Sequence, residues 1–155
     1  MFYDVPFVAS PEPVVRRMLE LAVLKPGELL YDLGAGDGRI LFMAAKDFGA
    51  RAVGVEIRLY LVKQIRERIV EEHLNGLVRV VAGSFYDVDI GDADVVTLYL
   101  LTSINERLKP KLERELRSGV RVVSHDFEIP GWIPIKVDHL KDSWTTHKIY
   151  LYRKK

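Results

Sequence analysis

The chain has 155 residues and a mass of 17.8 kDa, the size of one domain able to bury a continuous core without cross-links. Its 48% hydrophobic and 29% charged residues are a globular composition, and 23 Lys and Arg against 22 Asp and Glu leave a formal charge of +1, so the whole-molecule field offers nucleic acid little attraction. Cysteine is absent, which excludes disulfides, thiolate zinc sites and cysteine nucleophiles.

The opening "MFYDVPFVAS" lacks a basic start followed by a long apolar run, and no later apolar stretch reaches bilayer length, so a cytoplasmic protein with no membrane partner is expected. Side-chain amides are scarce (Gln64, Asn75, Asn105) while charges abound, a bias of thermophilic proteins. Ser10, then Pro11 and the periodic set Val14, Val15, Met18, Leu19 and Ala22, predict a helix capped by Ser10 and ended by "KPGE". "LLYDLG" reads as a strand stopping at glycine. Ile40, Leu41, Ala44, Ala45 and Phe48 then form a helical face that ends at Gly49. "RAVGVEI" is a second strand. Leu59, Val62, Ile65, Ile69 and Leu74 predict a longer helix with one apolar stripe, closed by "NG".

"LVRVVAGSF", "ADVVTLYLL" and "GVRVVSH" add three more strands, each dense in valine and leucine as strands covered on both faces are. "YDVDIGD" between the third and fourth is too short for much helix. Before the fifth, Leu108, Leu112 and Leu116 recur at helical spacing, with Pro110 expected to begin the main helix after a preliminary turn. The tail "PIKVDHLKDSWTTHKIYLYRK" shows two alternating segments joined by a turn near Lys141 to Ser143, an antiparallel hairpin. With no repeat or linker, residues 1–155 form one α/β domain, a doubly wound, mostly parallel sheet whose ligands belong at the carboxyl ends of its strands.

A strand ending in "DLGAGDG" and opening a helix is the setting of a nucleotide loop, where glycines permit tight turns and close approach to a ligand. The spacing is G-x-G-x-G rather than the dinucleotide G-x-G-x-x-G, and no Gly-Lys-Ser/Thr follows. Asp32 and Asp37 flank the turn where a pyrophosphate would lie, and close like charges are unfavourable. A cationic ligand suits them: S-adenosylmethionine carries a sulfonium and an α-ammonium. Glu56 ends the second strand, where an acid of this fold holds ribose hydroxyls, and "AGSF" ends the third with Ser84 and Phe85 set against adenine. A solvated strand-end carboxylate and plain turn glycines are the bland alternative; the joint pattern in strand order favours the cofactor.

With these motifs the sequence resembles the class I S-adenosylmethionine-dependent methyltransferases over nearly its whole length, "YDLGAGDGR" being their first motif. More narrowly, "VPFVASPEPVVRRML", "LYLLTSINERLKPKLERELRSGVRVVSHDFEIPGW" and the closing "IYLY" resemble the small archaeal broad-specificity protein lysine methyltransferases. The resemblance implies a minimal seven-strand core without a separate substrate domain, acting on exposed lysines of diverse proteins. It further implies that residues 1–25 cover the cofactor site. Phe7, Val8, Ser10, Asp32, Gly34, Ala35, Gly36, Asp37, Gly38, Glu56, Ile57, Ser84 and Phe85 would contact the cofactor.

Methyl transfer from a sulfonium asks for an aligned, deprotonated nucleophile in a dry site more than for a catalytic base. Aromatic rims steer amines through their π faces, and by position Tyr3, Tyr99, Phe127 and Trp132 are the candidates for placing the substrate amine, with core packing the commoner fate of each type. His125 and Asp126 are either a proton relay or a structural hydrogen-bonding pair. The four histidines lack metal-ligand spacing, so no metal is expected. An RNA or tRNA methyltransferase is the nearest rival, less favoured because "LYLLTSIN" replaces the segment usual in base-amino methylators and acids interleave the basic residues of "LKPKLERELR". A non-catalytic, cofactor-binding partner subunit is the third reading. A monomer is expected.

Overall fold

The structure, a computed structural model, describes residues 8–155. Eleven elements run α1 (Glu12–Leu21), β1 (Leu29–Leu33), α2 (Arg39–Phe48), β2 (Arg51–Glu56), α3 (Leu59–Glu71), β3 (Val78–Ala82), β4 (Val95–Leu98), α4 (Thr102–Glu115), β5 (Arg121–His125), β6 (Lys136–Lys141) and β7 (Thr146–Arg153). They build one seven-stranded sheet in the order β3-β2-β1-β4-β5-β7-β6. The strands β1 to β5 are mutually parallel, while β7 runs antiparallel to both β5 and β6. The doubly wound sheet with a terminal hairpin expected from the sequence is therefore the observed fold.

All five residues of β1 are buried because the sheet is covered on both sides. Leu30, Ala52, Val95 and Val123 meet α1, α2 and α3 on one face; Tyr31, Val53, Val96 and Val122 meet α4 on the other, together with Ile90 and Ile129 from connections that contain no helix. Within this frame Gly54 of β2 is required by contact: a Cβ there would sit 2.6 Å from Leu41 Cδ1 and 2.7 Å from Ala35 Cβ, so only glycine lets α2 and its preceding loop close onto β2.

Three local expectations are corrected. Ser10 does not cap α1; Pro11 holds that position without a side-chain bond, because the Ser10 hydroxyl is engaged by His125 at 2.8 Å. The third helix stops at Glu71 rather than at "NG", with His73 adopting the left-handed conformation (φ 57°), and Leu59 is 71% exposed while Leu61 takes its place in the buried stripe. Pro110 lies inside a continuous α4 instead of starting a helix. It is tolerated because it sits on the solvent face, where water can bond the Glu106 carbonyl that loses its usual donor.

Candidate active site

Parallel register brings Leu33, Glu56, Ala82, Leu98 and His125 to one edge of the sheet. There Val8, Ser10, Asp32, Gly34, Ala35, Gly36, Asp37, Glu56 and Tyr99 line one cleft. Gly34, Gly36 and Gly38 all have positive φ (87°, 60° and 83°), a backbone that residues with a Cβ adopt only at a cost and that explains the alternating glycines. At Gly38 a Cβ would also meet Phe42 at 2.9 Å.

Asp32 is buried on β1 and among the described residues accepts one side-chain hydrogen bond, from Thr97 Oγ1 at 2.9 Å. Burial pushes its carboxyl up to about 8; the Thr97 bond opposes this and the charges of Glu56 and Asp37 add to it. Glu56 clamps the loop: its Oε1 accepts the Gly36 N–H at 2.7 Å, and its Oε2 accepts the Arg58 N–H at 2.9 Å. The Asp37 carboxylate is turned to Arg39, whose Nη2 donates at 2.6 Å. Burial raises the Asp37 carboxyl, but the Arg39 donors outweigh it and hold it below its ordinary range. Arg39 also donates from Nη1 to the Ser10 carbonyl at 3.1 Å, tying the glycine loop to the segment before α1. Of the two flanking acids, then, Asp32 alone is without a cationic side chain bonded to it.

The remaining cofactor candidates are near the same edge. Phe85 approaches Gly34, Ser84 accepts the Tyr86 N–H at 3.2 Å, and Ile57 follows Glu56, half-buried. Phe7 and Tyr3 lie outside the described residues. Among the amine-placing candidates, Tyr99 stacks on His125 with ring centroids 4.0 Å apart and on Phe127 at 6.1 Å. Burial, and after it the charge of Asp126, raises the Tyr99 hydroxyl pKa, so that side chain is a neutral phenol. Trp132 is not brought to this group, a departure from its sequence assignment. Its indole N–H donates to Glu113 at 3.0 Å and its ring packs edge-on against Tyr152, which pairs with Val122 toward the opposite end of β5.

After β5 the chain turns sharply at Asp126 (φ 64°), with the Phe127 N–H bonded to the His125 carbonyl at 2.8 Å, a strained three-residue turn. Asn105 Nδ2 holds the Phe127 and Glu128 carbonyls at 3.1 Å each, and the Ser124 hydroxyl donates to the Phe127 carbonyl. His125 does not bond Asp126 closely, which is 3.5 Å away; its Nε2 lies 2.9 Å from His147 Nδ1, and His147 Nε2 lies 2.7 Å from Asp142 Oδ2. Two nitrogens on one tetrahedral zinc stand about 3.3 Å apart, so the two rings are a hydrogen-bonded pair rather than a ligand pair. Thr97, Arg39, Asn105, His147 and Asp142 were not singled out from the sequence. His147 carried a usable signal, a buried polar side chain at an inward position of the alternating β7.

A cationic, nucleoside-bearing ligand fits this site: a buried carboxyl with no cationic partner among the described residues, a positive-φ glycine loop, and a strand-end acid on the next strand. Such a cleft on this sheet order defines a class I S-adenosylmethionine-dependent methyltransferase. The family described as the ANTKMT methyltransferase domain matches residues 32–136, and the chain belongs to it. A relative named protein-lysine N-methyltransferase from Saccharolobus islandicus (strain REY15A) is 51% identical over 96% of this chain and 92% of its own length. The adenine nucleotide translocase lysine N-methyltransferase of Mus musculus is 35% identical over 86% of this chain, which spans 58% of that protein. A solved structure described as an RNA methyltransferase from Salinibacter ruber in complex with S-adenosyl-L-homocysteine superposes with a TM-score of 0.89 at 44% identity, covering 94% of this chain and 93% of that one.

Proposed function

We propose that the protein transfers methyl groups from S-adenosylmethionine to the side-chain amines of lysines on a range of protein substrates. The observation that carries this reading is the 51% identity, over nearly the full length of both chains, to a protein-lysine N-methyltransferase. When bound, the cofactor supplies an electrophilic methyl whose bond to sulfur breaks as the bond to nitrogen forms, leaving a neutral thioether. Asp32, Gly34, Gly36 and Glu56 would hold it, Asp32 offering its carboxylate to the cationic portion. Tyr99, which lines the cleft and stacks on His125, would steer an incoming ammonium with its ring, and Phe127 is stacked on it with ring centroids 6.1 Å apart. A lysine amine, with an ordinary pKa of about 10.4, loses its proton more easily in such a dry and cationic setting. Among the described residues no long insertion encloses the cleft, which suits a substrate as large as a protein surface.

A second reading, transfer to RNA, is favoured by the Salinibacter ruber structure's description. Both are tested by incubating the purified protein and radiolabelled S-adenosylmethionine with a lysine-rich protein mixture and, separately, with total RNA, beside a Gly36→Arg control. Label on lysine by mass spectrometry, absent in the control, is the expected result. Label in RNA alone overturns the lysine reading, and cofactor binding without transfer to either marks a partner subunit.

A further inference from the structure

A chain of hydrogen bonds leaves the cleft through the interior of the protein. Ser10 lines the cleft, and its Oγ is 2.8 Å from His125 Nδ1; His125 Nε2 is 2.9 Å from His147 Nδ1; His147 Nε2 is 2.7 Å from Asp142 Oδ2. Ser10, His125 and His147 are buried, whereas the Asp142 side chain is 42% exposed in the β6–β7 turn. Three separate parts of the sequence, residues 10, 125 and 142–147, converge to make this line. Neither the cofactor cleft nor the packing of the sheet requires it, since an apolar filling of the same volume would serve packing as well.

We infer that Ser10, His125 and His147 form a proton relay that takes the proton shed by the substrate lysine from the cleft to the protein surface, with Asp142 as its anchor. The inference rests on the lysine reading for the identity of the proton donor. Its direction follows from one end. Asp142 is held ionised at about 2 by the Trp144 and Thr145 N–H groups and by His147, so it accepts only. His147 must then donate from Nε2, which makes Nδ1 of the neutral ring an acceptor. His125 donates to it from Nε2 and accepts at Nδ1, so the Ser10 hydroxyl donates to His125. Every donor points outward.

A proton passing from the lysine ammonium to Ser10 Oγ displaces the serine proton onto His125 Nδ1. The His125 Nε2 proton moves to His147 Nδ1, and the lysine is left as a neutral amine. The positive charge comes to rest on His147 between two carboxylates, Asp142 at 2.7 Å and Asp126 at 3.9 Å, from which solvent removes the proton. Among the described residues the groups that face the relay are Tyr99, stacked on His125, and Asp126, 3.5 Å from His125 Nε2. Burial holds His125 below the ordinary histidine range, with Asp126 opposing and His147 assisting, which disfavours a proton resting on that ring.

Asp142→Asn tests the inference because the turn fixes how the amide must lie. The Trp144 and Thr145 N–H groups occupy Oδ1, which leaves the amide NH2 facing His147. His147 Nε2 then becomes an acceptor, and both rings reverse. Nitrogen-15 NMR of the histidine side chains should find hydrogen on Nε2 of His125 and His147 in the wild type and on Nδ1 of both in Asp142→Asn. Single-turnover transfer to a lysine-rich protein at pH 7 should fall about a hundredfold or more in Asp142→Asn and in His147→Gln, the range of general acid–base contributions. S-adenosylmethionine affinity by calorimetry should stay within about twofold, and the deficit should shrink toward pH 10 as solvent takes the proton directly. Wild-type rings carrying hydrogen on Nδ1, or variants equally impaired at every pH, would overturn the relay. A wild type that methylates no lysine would instead sink the lysine reading, while the NMR result still judges the relay's direction.

Discussion

Replacing Asp32 with asparagine should make the cofactor-free protein more stable and less able to bind cofactor. Below pH 3.8, the ordinary value of the carboxyl, folded and unfolded chains both hold the Asp32 proton. Between that pH and about 8 the unfolded chain has released it and the folded chain has not. Unfolding therefore releases one proton across this window, and stability falls by about 1.4 kcal/mol per pH unit. At pH 7 the interval from 3.8 is 3.2 units, so the buried carboxyl costs about 4 kcal/mol relative to a group that does not titrate. Asparagine keeps an oxygen for the Thr97 hydroxyl and removes the titration. Urea unfolding without cofactor at pH 4.5, 6 and 7.5 should give a declining stability for wild type, a flatter one for Asp32→Asn, and a gap that widens with pH toward about 5 kcal/mol at pH 7.5. Parallel slopes, or a variant less stable than wild type at pH 7.5, would refute the reasoning. Calorimetry at pH 7 should show cofactor binding by wild type with proton release to buffer, and a much weakened affinity in the variant.

Tyr99→Ala should lower methyl transfer by tenfold or more, whereas Trp132→Phe should leave it within about twofold, because Tyr99 borders the cleft and Trp132 does not; steady-state rates with a lysine-rich protein compare them. Gly54→Ala should destabilise by about 2–3 kcal/mol in urea melts and weaken cofactor binding, since the new methyl displaces Ala35 of the loop as well as Leu41. Pro110→Ala should raise stability by about 1–2 kcal/mol without altering transfer, because it restores a helical N–H on the exposed side of α4.

The strands and their order of use were readable because valine-rich runs ending in glycine or acid repeat along the chain, and the "DLGAGDG" turn announces its own backbone. The acids of the cleft were equally legible in kind, since Asp32 and Glu56 fall at strand ends by spacing alone. Their electrostatics were not: that Arg39 occupies Asp37 while Thr97 bonds Asp32 depends on which side chains the folded loop lets touch. Trp132 was misplaced because proximity in sequence to the β5 edge says nothing of the loop's path, which carries it down the α4 face to Glu113. The histidine pair joins residues 22 apart across two antiparallel strands, a pairing that register determines and periodicity does not.

The clamp between Glu56 and the Gly36 N–H bears on how the cleft is filled. Three successive positive-φ glycines would otherwise be among the most mobile stretches of the chain, and ordering them on ligand arrival would subtract about 1–2 kcal/mol of conformational entropy per residue from the affinity. Because a carboxylate of the neighbouring strand already holds the loop, that entropy is surrendered during folding rather than during binding. Cofactor exchange then starts from a receptor whose shape is set, and a Glu56→Gln protein, with a weaker hold on Gly36, would bind by ordering the loop and so more slowly.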